Sequence, residues 1–436
     1  MDISILTLFP DLYKPFLDES LIGRAQEKGL FKARVTDLFS LCAPRKRVDA
    51  PTFGPGAGML IKPEIVQKAI EAQEQQCGKA YKIFFSPHGT KLNQYHVRRL
   101  ANIFQEKKHV MLLPARYEGM DARVEEHYAD EIISIGDYVL MGGDLPAMVL
   151  LEGVLRYMPG VVGKDESVLC DSFSGSLVDY PEYTEPVEWN GVRVPDVVRS
   201  GNHKKIEEWR EEQALERTVF HHFDWLRSFE LDKRLKKKAY NTIPSHYIAL
   251  MHDQVVLKDK RVGTSSVTSL DVHDIARSAA TYGLKKYFVV TPLKDQKKIV
   301  QTILDFWETE GKKYNIHRHQ AVQLVKLHET FEEVIQEIEK ETGKKPLVIA
   351  TSAKHHEDIS TITYHDQELV WKEGRPVLFL LGTAFGLSEP LVKRCDYVLK
   401  PIEGFVEFNH LSVRSAAAII FDRWLGINIK RHGGAS

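Results

Sequence analysis

The stretch SIGDYVLMGGDLPAM, residues 134–148, decides how the first part of the chain is read. Gly142 and Gly143 sit inside an apolar run, and an aspartate follows each group of small residues, at Asp137 and Asp144. Glycine allows close approach of a ligand to the backbone and permits positive φ. Two further glycine-bearing segments follow apolar runs upstream, SPHGTKLNQ (86–94) and PARYEGMDARV (114–124). In open α/β sheets a ligand sits beyond the carboxyl ends of the strands. One such segment reads as a turn; three in succession point to backbone groups gripping a flat heterocycle.

Working outward, ISILTLF, KIFFS and HVMLLPA read as short buried strands bounded by Pro or turn residues. KPEIVQKAIEAQEQ and QYHVRRLANIFQE between them read as amphipathic helices, so the expected sheet is parallel and covered on both faces. The pattern changes near Asp171. HKKIEEWREEQALERTVFHHFDWLRSF reads as wholly helical, and DKRLKKKAY is locally basic. A second α/β pattern follows: HYIALMHDQVVL, the helix LDVHDIARSAATYGL, the strands KYFVV, PLVIA and PVLFLLG, and a last helix LSVRSAAAIIFDRWL. Three segments are expected: an α/β domain over 1–160, a linker and helical subdomain over 161–242, and a second α/β domain over 243–436. Neither α/β segment carries GxGxxG after its first strand or a GxxxxGK[ST] loop, which removes support from dinucleotide and P-loop readings.

The chain of 436 residues is 43% hydrophobic and 27% charged, with formal net charge −1. That balance excludes a protein coated in positive charge but leaves room for a local basic patch that meets nucleic acid. Cys42, Cys77, Cys170 and Cys395 are scattered, so zinc and disulfide frameworks are weak readings. No apolar run is long enough to span a bilayer. Asp2 stands where a secretory signal would carry positive charge. The expectation is a cytoplasmic protein with no membrane partner.

Charged candidates are few. Arg116 and Glu118 either pair with each other or Glu118 holds a ligand group, and Asp121 helps fix that loop. Arg156 offers a rigid donor fork for a carbonyl or phosphate. Asp171 is a carboxylate able to take a proton from a ring nitrogen. The plainer reading of the last two is a surface arginine and a helix-capping aspartate. His273, His317, His319, His355 and His356 lack a standard zinc spacing, and no metal ligand set is expected.

The first half resembles the bacterial tRNA (guanine-N1)-methyltransferase family. The residues that carry the resemblance are MDISILTLFPDLY, VDAPTFGPGAGML, SPHGTKLNQ, PARYEGMDARV, EEHYADEIISIGDYVLMGGDLPAMVLLEGVLRYMPGVVG, DSFSGSLVDYPEYTEPVEWNG and VPDVVRSGNHKKIEEWR, with the following ERT. They cover roughly residues 1–230. The resemblance implies a trefoil-knotted α/β methyltransferase of the SPOUT class that binds S-adenosylmethionine in bent form. It also implies an obligate homodimer acting on N1 of the guanine immediately 3′ of the tRNA anticodon, with magnesium needed for activity. The family's cofactor positions fall on Pro87, Gly89, Arg116, Tyr117, Glu118, Gly119, Ser134, Ile135, Gly136, Tyr138, Leu140, Gly142 and Gly143. Arg156 matches the arginine that holds and polarises the guanine, and Asp171 the general base. The helical region beginning GNHKKIEEWR matches the tRNA-binding part, with His203, Lys204 and Lys205 as candidate contacts. The segment near 160–175 would order over the target base. The chain departs from the family at Ala50 and Pro51, where an acidic and a basic residue are usual; Asp49, Gly56 and Gly58 are retained.

Residues from about 244 to 426 resemble a separate SPOUT-class family, through VTSLDVHDIARSAATYGLKKYFVVTPL, LVIATSAK, LFLLGTAFGLSEPL and CDYVLKPIEGFVEFNHLSVRSAAAIIFDRWLG. The implied cofactor positions are Gly382, Thr383, Gly386 and Leu387 in one loop, and Ile402, Gly404, Asn409, Leu411, Ser412 and Val413 in the next. Arg277 and Arg414 are candidates to meet RNA. Three readings of this half stand: a second RNA methyltransferase of unknown target, a non-catalytic RNA-binding or dimerisation module, or a methyltransferase acting on something else. The expected fold class is therefore α/β, two trefoil-knotted SPOUT-type domains separated by a small helical tRNA-binding subdomain.

Overall fold

The computed structural model describes residues 1–55, 58–162, 171–356 and 358–429. Backbone contacts divide the chain into two compact units, one ending at Ser174 and the other beginning at Gly175.

The strands of the first unit are β1 (Asp2–Thr7), β2 (Lys32–Asp37), β3 (Asp49–Pro51), β4 (Met59–Ile61), β5 (Tyr81–Lys91), β6 (His109–Leu113) and β7 (Glu131–Ser134). Five form a sheet in the order β2-β1-β6-β5-β7, every pairing parallel. Side chains of a strand alternate between faces. Accordingly Ile3 and Ile5 of β1 and Val110 and Leu112 of β6 enter one core, while Leu6, Met111 and Leu113 enter the core on the opposite face. Burial on both faces explains why these strands read as unbroken apolar runs. β3 and β4 form a separate antiparallel pair.

The second unit contains a small hairpin, β8 (Glu188–Trp189) with β9 (Val192–Arg193), then helices His203–His221, Phe223–Leu226 and Lys233–Thr242. The long helix expected over this region breaks at His222, whose φ of −143° is not helical. Its strands continue as β10 (His246–Met251), β11 (Val255–Val256), β12 (Val262–Gly263), β13 (Lys286–Val290), β14 (Val325–His328), β15 (Leu347–Thr351), β16 (Thr361–Ile362), β17 (Val377–Gly382) and β18 (Tyr397–Leu399). Seven of these make a parallel sheet ordered β14-β13-β10-β17-β15-β18-β16. Leu215, Val219, Phe223, Leu226 and Ala239 of the helices share one hydrophobic core with Ile248, Leu250 and Phe379 of this sheet.

The two sheets repeat one plan. Numbered in chain order, the first sheet runs 2-1-4-3-5, and β13-β10-β17-β15-β18 runs the same way, with β14 and β16 added at the edges. In both, connections leave the first and fourth strands in opposite directions. The crevice between those two strands, at their carboxyl ends, is where such sheets place ligands.

Candidate functional site

In the first unit the three glycine-bearing segments meet at that end. The segment after Phe85 is not a free loop, as the sequence suggested: β5 continues to Lys91, with a register shift between Phe85 and Thr90 against β7. A Cβ on Gly89 would stand 2.7 Å from the Ile132 carbonyl, so the strand crosses β7 only because this residue has none. Leu92 N donates to Ser134 O at 2.7 Å. After β6, Arg116 to Gly119 make a turn closed by Gly119 N on Arg116 O, with Tyr117 at φ 59°. After β7, Gly142 bridges Arg116 in antiparallel fashion and Gly143 N donates to Ala115 O at 2.6 Å. A Cβ on Gly143 would lie 2.9 Å from Ala115 N and Pro114 Cα. The two loops meet closely through bare backbone.

Arg116 is fixed by a buried network. Its Nε donates to Asp144 Oδ2 at 2.6 Å, and its guanidinium lies 4.6 Å from the centre of the Phe9 ring. Asp144 is fully buried and also accepts from Thr7 Oγ1 at 2.6 Å and Tyr13 OH at 3.1 Å. Burial, with the neighbouring Asp144 charge, drives the Tyr13 hydroxyl well above the usual phenol range. The expected alternative of an Arg116–Glu118 pair is therefore not what forms. Glu118 turns to the β3–β4 pair, where its N donates to Met59 O and a Cβ on Gly58 would stand 2.3 Å from its Cγ. Asp121 caps the helix Ala122–Tyr128 and grips Arg123 through both oxygens, which holds its carboxyl below the ordinary range. Ala50 and Pro51, the positions that depart from the family, pair through β3 with Leu60 and Met59. Asp49 beside them is bidentate to Arg47, at 2.8 and 2.9 Å. Ser134 donates to Gly136 O, and the apolar run beyond it is turned outward: Val139 is 87% and Met141 91% exposed.

Arg156 ends the helix Asp144–Leu155, and Asp171 lies 15 residues further on; the structure pairs them. Arg156 Nε and Nη2 donate to Asp171 Oδ2 at 2.9 and 2.5 Å. Both side chains remain partly open to solvent. Arg98 braces the neighbourhood, donating through Nε to the Tyr157 hydroxyl at 3.2 Å and through Nη1 to Ser174 O at 3.1 Å. Most of the linker expected to order over the target base, 163–170, lies outside the described residues. In the second unit, Asn202 caps the helix that carries His203, Lys204 and Lys205, all exposed on its first turn.

The second sheet presents the corresponding segments. A Cβ on Gly382 would meet Leu387 N at 2.5 Å, and Gly386 has φ 103°, so the loop after β17 folds tightly on itself. Thr383 Oγ1 donates to Met251 O at 2.9 Å and accepts from Ser265 Oγ at 2.5 Å. Ser265 in turn lies 3.1 Å from His252 Nδ1. His252 is buried, its Nε2 has no partner among the described residues, and burial lowers its pKa to about 4. After β18, Asn409 Nδ2 donates to Ala353 O at 3.2 Å, tying this loop to the one after β15. Ser412 caps the last helix, Val413–Leu425. Arg414 in its first turn pairs with buried Asp271 at 3.1 Å, whose other oxygen accepts from Thr268 Oγ1 at 2.6 Å. Ile402 packs against the core, Gly404 and Leu411 lie in the open loop, and Arg277 is exposed.

Sequence reasoning missed Thr7, Tyr13, His252, Ser265 and Asp271. Thr7 and Tyr13 lie inside MDISILTLFPDLY, but nothing local marks them as partners of a residue at 144. Among the described residues no group of three or more His, Cys, Asp or Glu stands close enough to hold a metal. No described helix is long and apolar enough to cross a membrane.

Comparison with known proteins follows the same division. The family described as tRNA (Guanine-1)-methyltransferase TrmD matches residues 1–228. The family described as SAM-dependent RNA methyltransferase matches residues 245–426. A protein of Nitratidesulfovibrio vulgaris named tRNA (guanine-N(1)-)-methyltransferase is 39% identical over 433 residues, 98% of this chain and 99% of that protein. One of the same name from Oleidesulfovibrio alaskensis is 37% identical over 433 residues. The Thermus thermophilus protein of that name is 44% identical over 220 residues, 50% of this chain and 89% of its own length.

Proposed function

The chain belongs to the tRNA (guanine-1)-methyltransferase family, and from that premise we propose that its first unit methylates N1 of the tRNA guanine immediately 3′ of the anticodon. S-adenosylmethionine supplies an electrophilic methyl group on a sulfonium. Neutral guanine holds a proton on N1 and is a poor nucleophile there. In our reading Asp171 takes that proton, and the charge left behind moves toward O6. Arg156 donates to O6 as the charge develops, which is the point at which a fixed donor accelerates a reaction most. The N1 electron pair then forms the bond to the methyl carbon as the carbon–sulfur bond breaks. The observation that carries this reading is the bonded Arg156–Asp171 pair. Substrate would part the two side chains, giving the guanidinium to the base and freeing the carboxylate.

Arg116, Gly142 and Gly143 are assigned to the cofactor cradle with Pro87, Gly89, Tyr117, Glu118, Gly119, Ser134, Ile135, Gly136, Tyr138 and Leu140. The segment after β7 is proposed to be threaded through the loop after β6 as a trefoil knot, a reading supported by the Arg116–Gly142 bridge. Exposed Tyr138, Val139, Met141, Leu145 and Val149 form an apolar surface of the kind a partner covers, and support a homodimer. Lys204 and Lys205 on the exposed helix start are proposed to meet tRNA phosphates, so binding should weaken as salt rises. We assign the second unit a further methyl transfer to RNA, around Gly382, Thr383, Gly386, Leu387, Ile402, Gly404, Asn409, Leu411 and Ser412. Its recurrence of the first sheet's strand order supports that assignment. We place the protein in the cytoplasm. Magnesium is proposed to support activity, as the family resemblance implies.

The test is transfer of labelled methyl to unmodified tRNA and ribosomal RNA, with the labelled nucleosides mapped. Asp171→Ala should lose N1-methylguanosine while cofactor affinity stays within about threefold. Full activity in that variant would remove Asp171 as the base. Label persisting in another nucleoside would identify the second unit as an enzyme; none would favour the non-catalytic module.

A further inference from the structure

We propose that the second unit holds a binding site for a small amphipathic anion, in a cleft at the end of the sheet opposite its cofactor loops. The cleft has a volume of about 430 Å³, within the range of small-molecule sites. Ser245 and His246 at the start of β10 line it, as do Lys285, just before β13, and Leu425 and Gly426 at the end of the last helix. All strands here run parallel, so these positions mark the amino-terminal edge. The loops holding Gly382, Thr383 and Asn409 follow the carboxyl ends of β17 and β18. Helices Phe223–Leu226 and Lys233–Thr242 close the other side.

Its chemistry is one-sided. Phe223, Leu226, Leu231, Ile243 and Ile427 provide apolar walls. Among the described residues the charged ones that line it are Arg227, Lys236 and Lys285, with no aspartate or glutamate. Arg227 is already committed, to Asp224 at 2.7 Å and to the Arg423 carbonyl at 2.6 Å. Lys236 and Lys285 are exposed and have no carboxylate partner among the described residues. The Lys285 ammonium stands 4.5 Å from the centre of the Tyr240 ring, which fixes it at the rim. Two unpaired ammonium groups beside an apolar cleft match one kind of occupant: an aromatic or aliphatic body that enters the walls and an anionic head left at the rim.

The floor supplies a reporter. His246 Nε2 accepts from the indoles of Trp371 at 3.2 Å and Trp424 at 3.0 Å. A fluorescent occupant therefore sits within energy-transfer distance of two buried tryptophans.

The experiment titrates the full chain with 8-anilinonaphthalene-1-sulfonate, reading energy transfer from tryptophan, with decanoate and decanol as competitors. Ala280→Trp places an indole on the lining from an exposed position, and Lys236→Glu with Lys285→Glu reverses the rim. Each change should raise the probe's Kd by about tenfold or more. Decanoate should displace the probe and decanol should not. A Kd unchanged in both variants, or displacement by decanol as effective as by decanoate, overturns the proposal.

Discussion

Asp144 is the residue on which the first cradle turns. It is a buried carboxylate satisfied by one guanidinium and two hydroxyls. Removing one partner of such a group leaves the others buried and unpaired, which costs about 3–5 kcal/mol. Asp144→Ala should destabilise the first unit by that order in urea denaturation and weaken cofactor binding, because Arg116 loses its anchor. A loss below about 1 kcal/mol would show that the network contributes little. The sequence marked Asp144 only as a charge beside glycines. Its partners Thr7 and Tyr13 are 137 and 131 positions away, and no periodicity encodes a side-chain hydrogen bond over that distance. Arg116 and Glu118 were candidates to pair because they are neighbours in sequence. Positive φ at the intervening Tyr117 turns the chain, sending one side chain to the buried carboxylate and the other to the β3–β4 pair. Arg156 and Asp171 were singled out as separate candidates, and their pairing across 15 positions was not legible in the sequence.

At the scale of elements, glycine decides how closely two loops approach. Gly143 has a β-carbon direction blocked at 2.9 Å by backbone atoms of Pro114 and Ala115, which cannot rotate aside. Gly143→Val should separate the loops after β6 and β7 and weaken S-adenosylmethionine binding about tenfold or more, measured by calorimetry. Gly175, whose added Cβ would meet nothing within 4 Å, is a matched control that should tolerate alanine. Unchanged affinity in Gly143→Val would place the cofactor elsewhere. The interior strands were legible as apolar runs because both of their faces are buried, as in HVMLL and HYIALM. β2, KARVTD, was not: at the sheet edge it is nowhere fully buried, and its charges break the pattern. β5 was read as ending near Ser86, because its last residues are mostly exposed and leave no hydrophobic signal while the backbone ladder continues.

For the whole molecule, the two units differ in how they should answer acid. His246 and His252, both in the second unit, are held neutral by burial with pKa values of about 4 against an ordinary 6.5. The unfolded chain therefore binds these protons first as pH falls. Their contribution is fully present above pH 6.5 and is lost progressively down to about pH 4. The two shifts together amount to an upper limit of several kcal/mol, at about 1.4 kcal/mol per pKa unit. Urea unfolding followed at pH 7 and pH 5 should show the second unit weakening and His246→Asn reducing that slope. A pH-independent midpoint for that unit would mean the histidines gain protons without unfolding.

The shared 2-1-4-3-5 strand order carries the last prediction, because it bears on how many cofactors one chain holds. Each unit closes its crevice with a glycine that admits no side chain: Gly143 against Ala115 N, and Gly382 against Leu387 N at 2.5 Å. If both crevices serve the same ligand, calorimetry should give two S-adenosylmethionine molecules per chain. Gly143→Val and Gly382→Val should each remove one, and the doubly substituted chain should bind none. The Gly143 variant should lose methylation of the tRNA guanine, whereas the Gly382 variant should keep it. One site per chain, unaffected by Gly382→Val, would leave the second sheet with the fold of a methyltransferase and no donor. The repeated topology would then record shared ancestry of architecture rather than shared chemistry, as a fold by itself does not specify an activity.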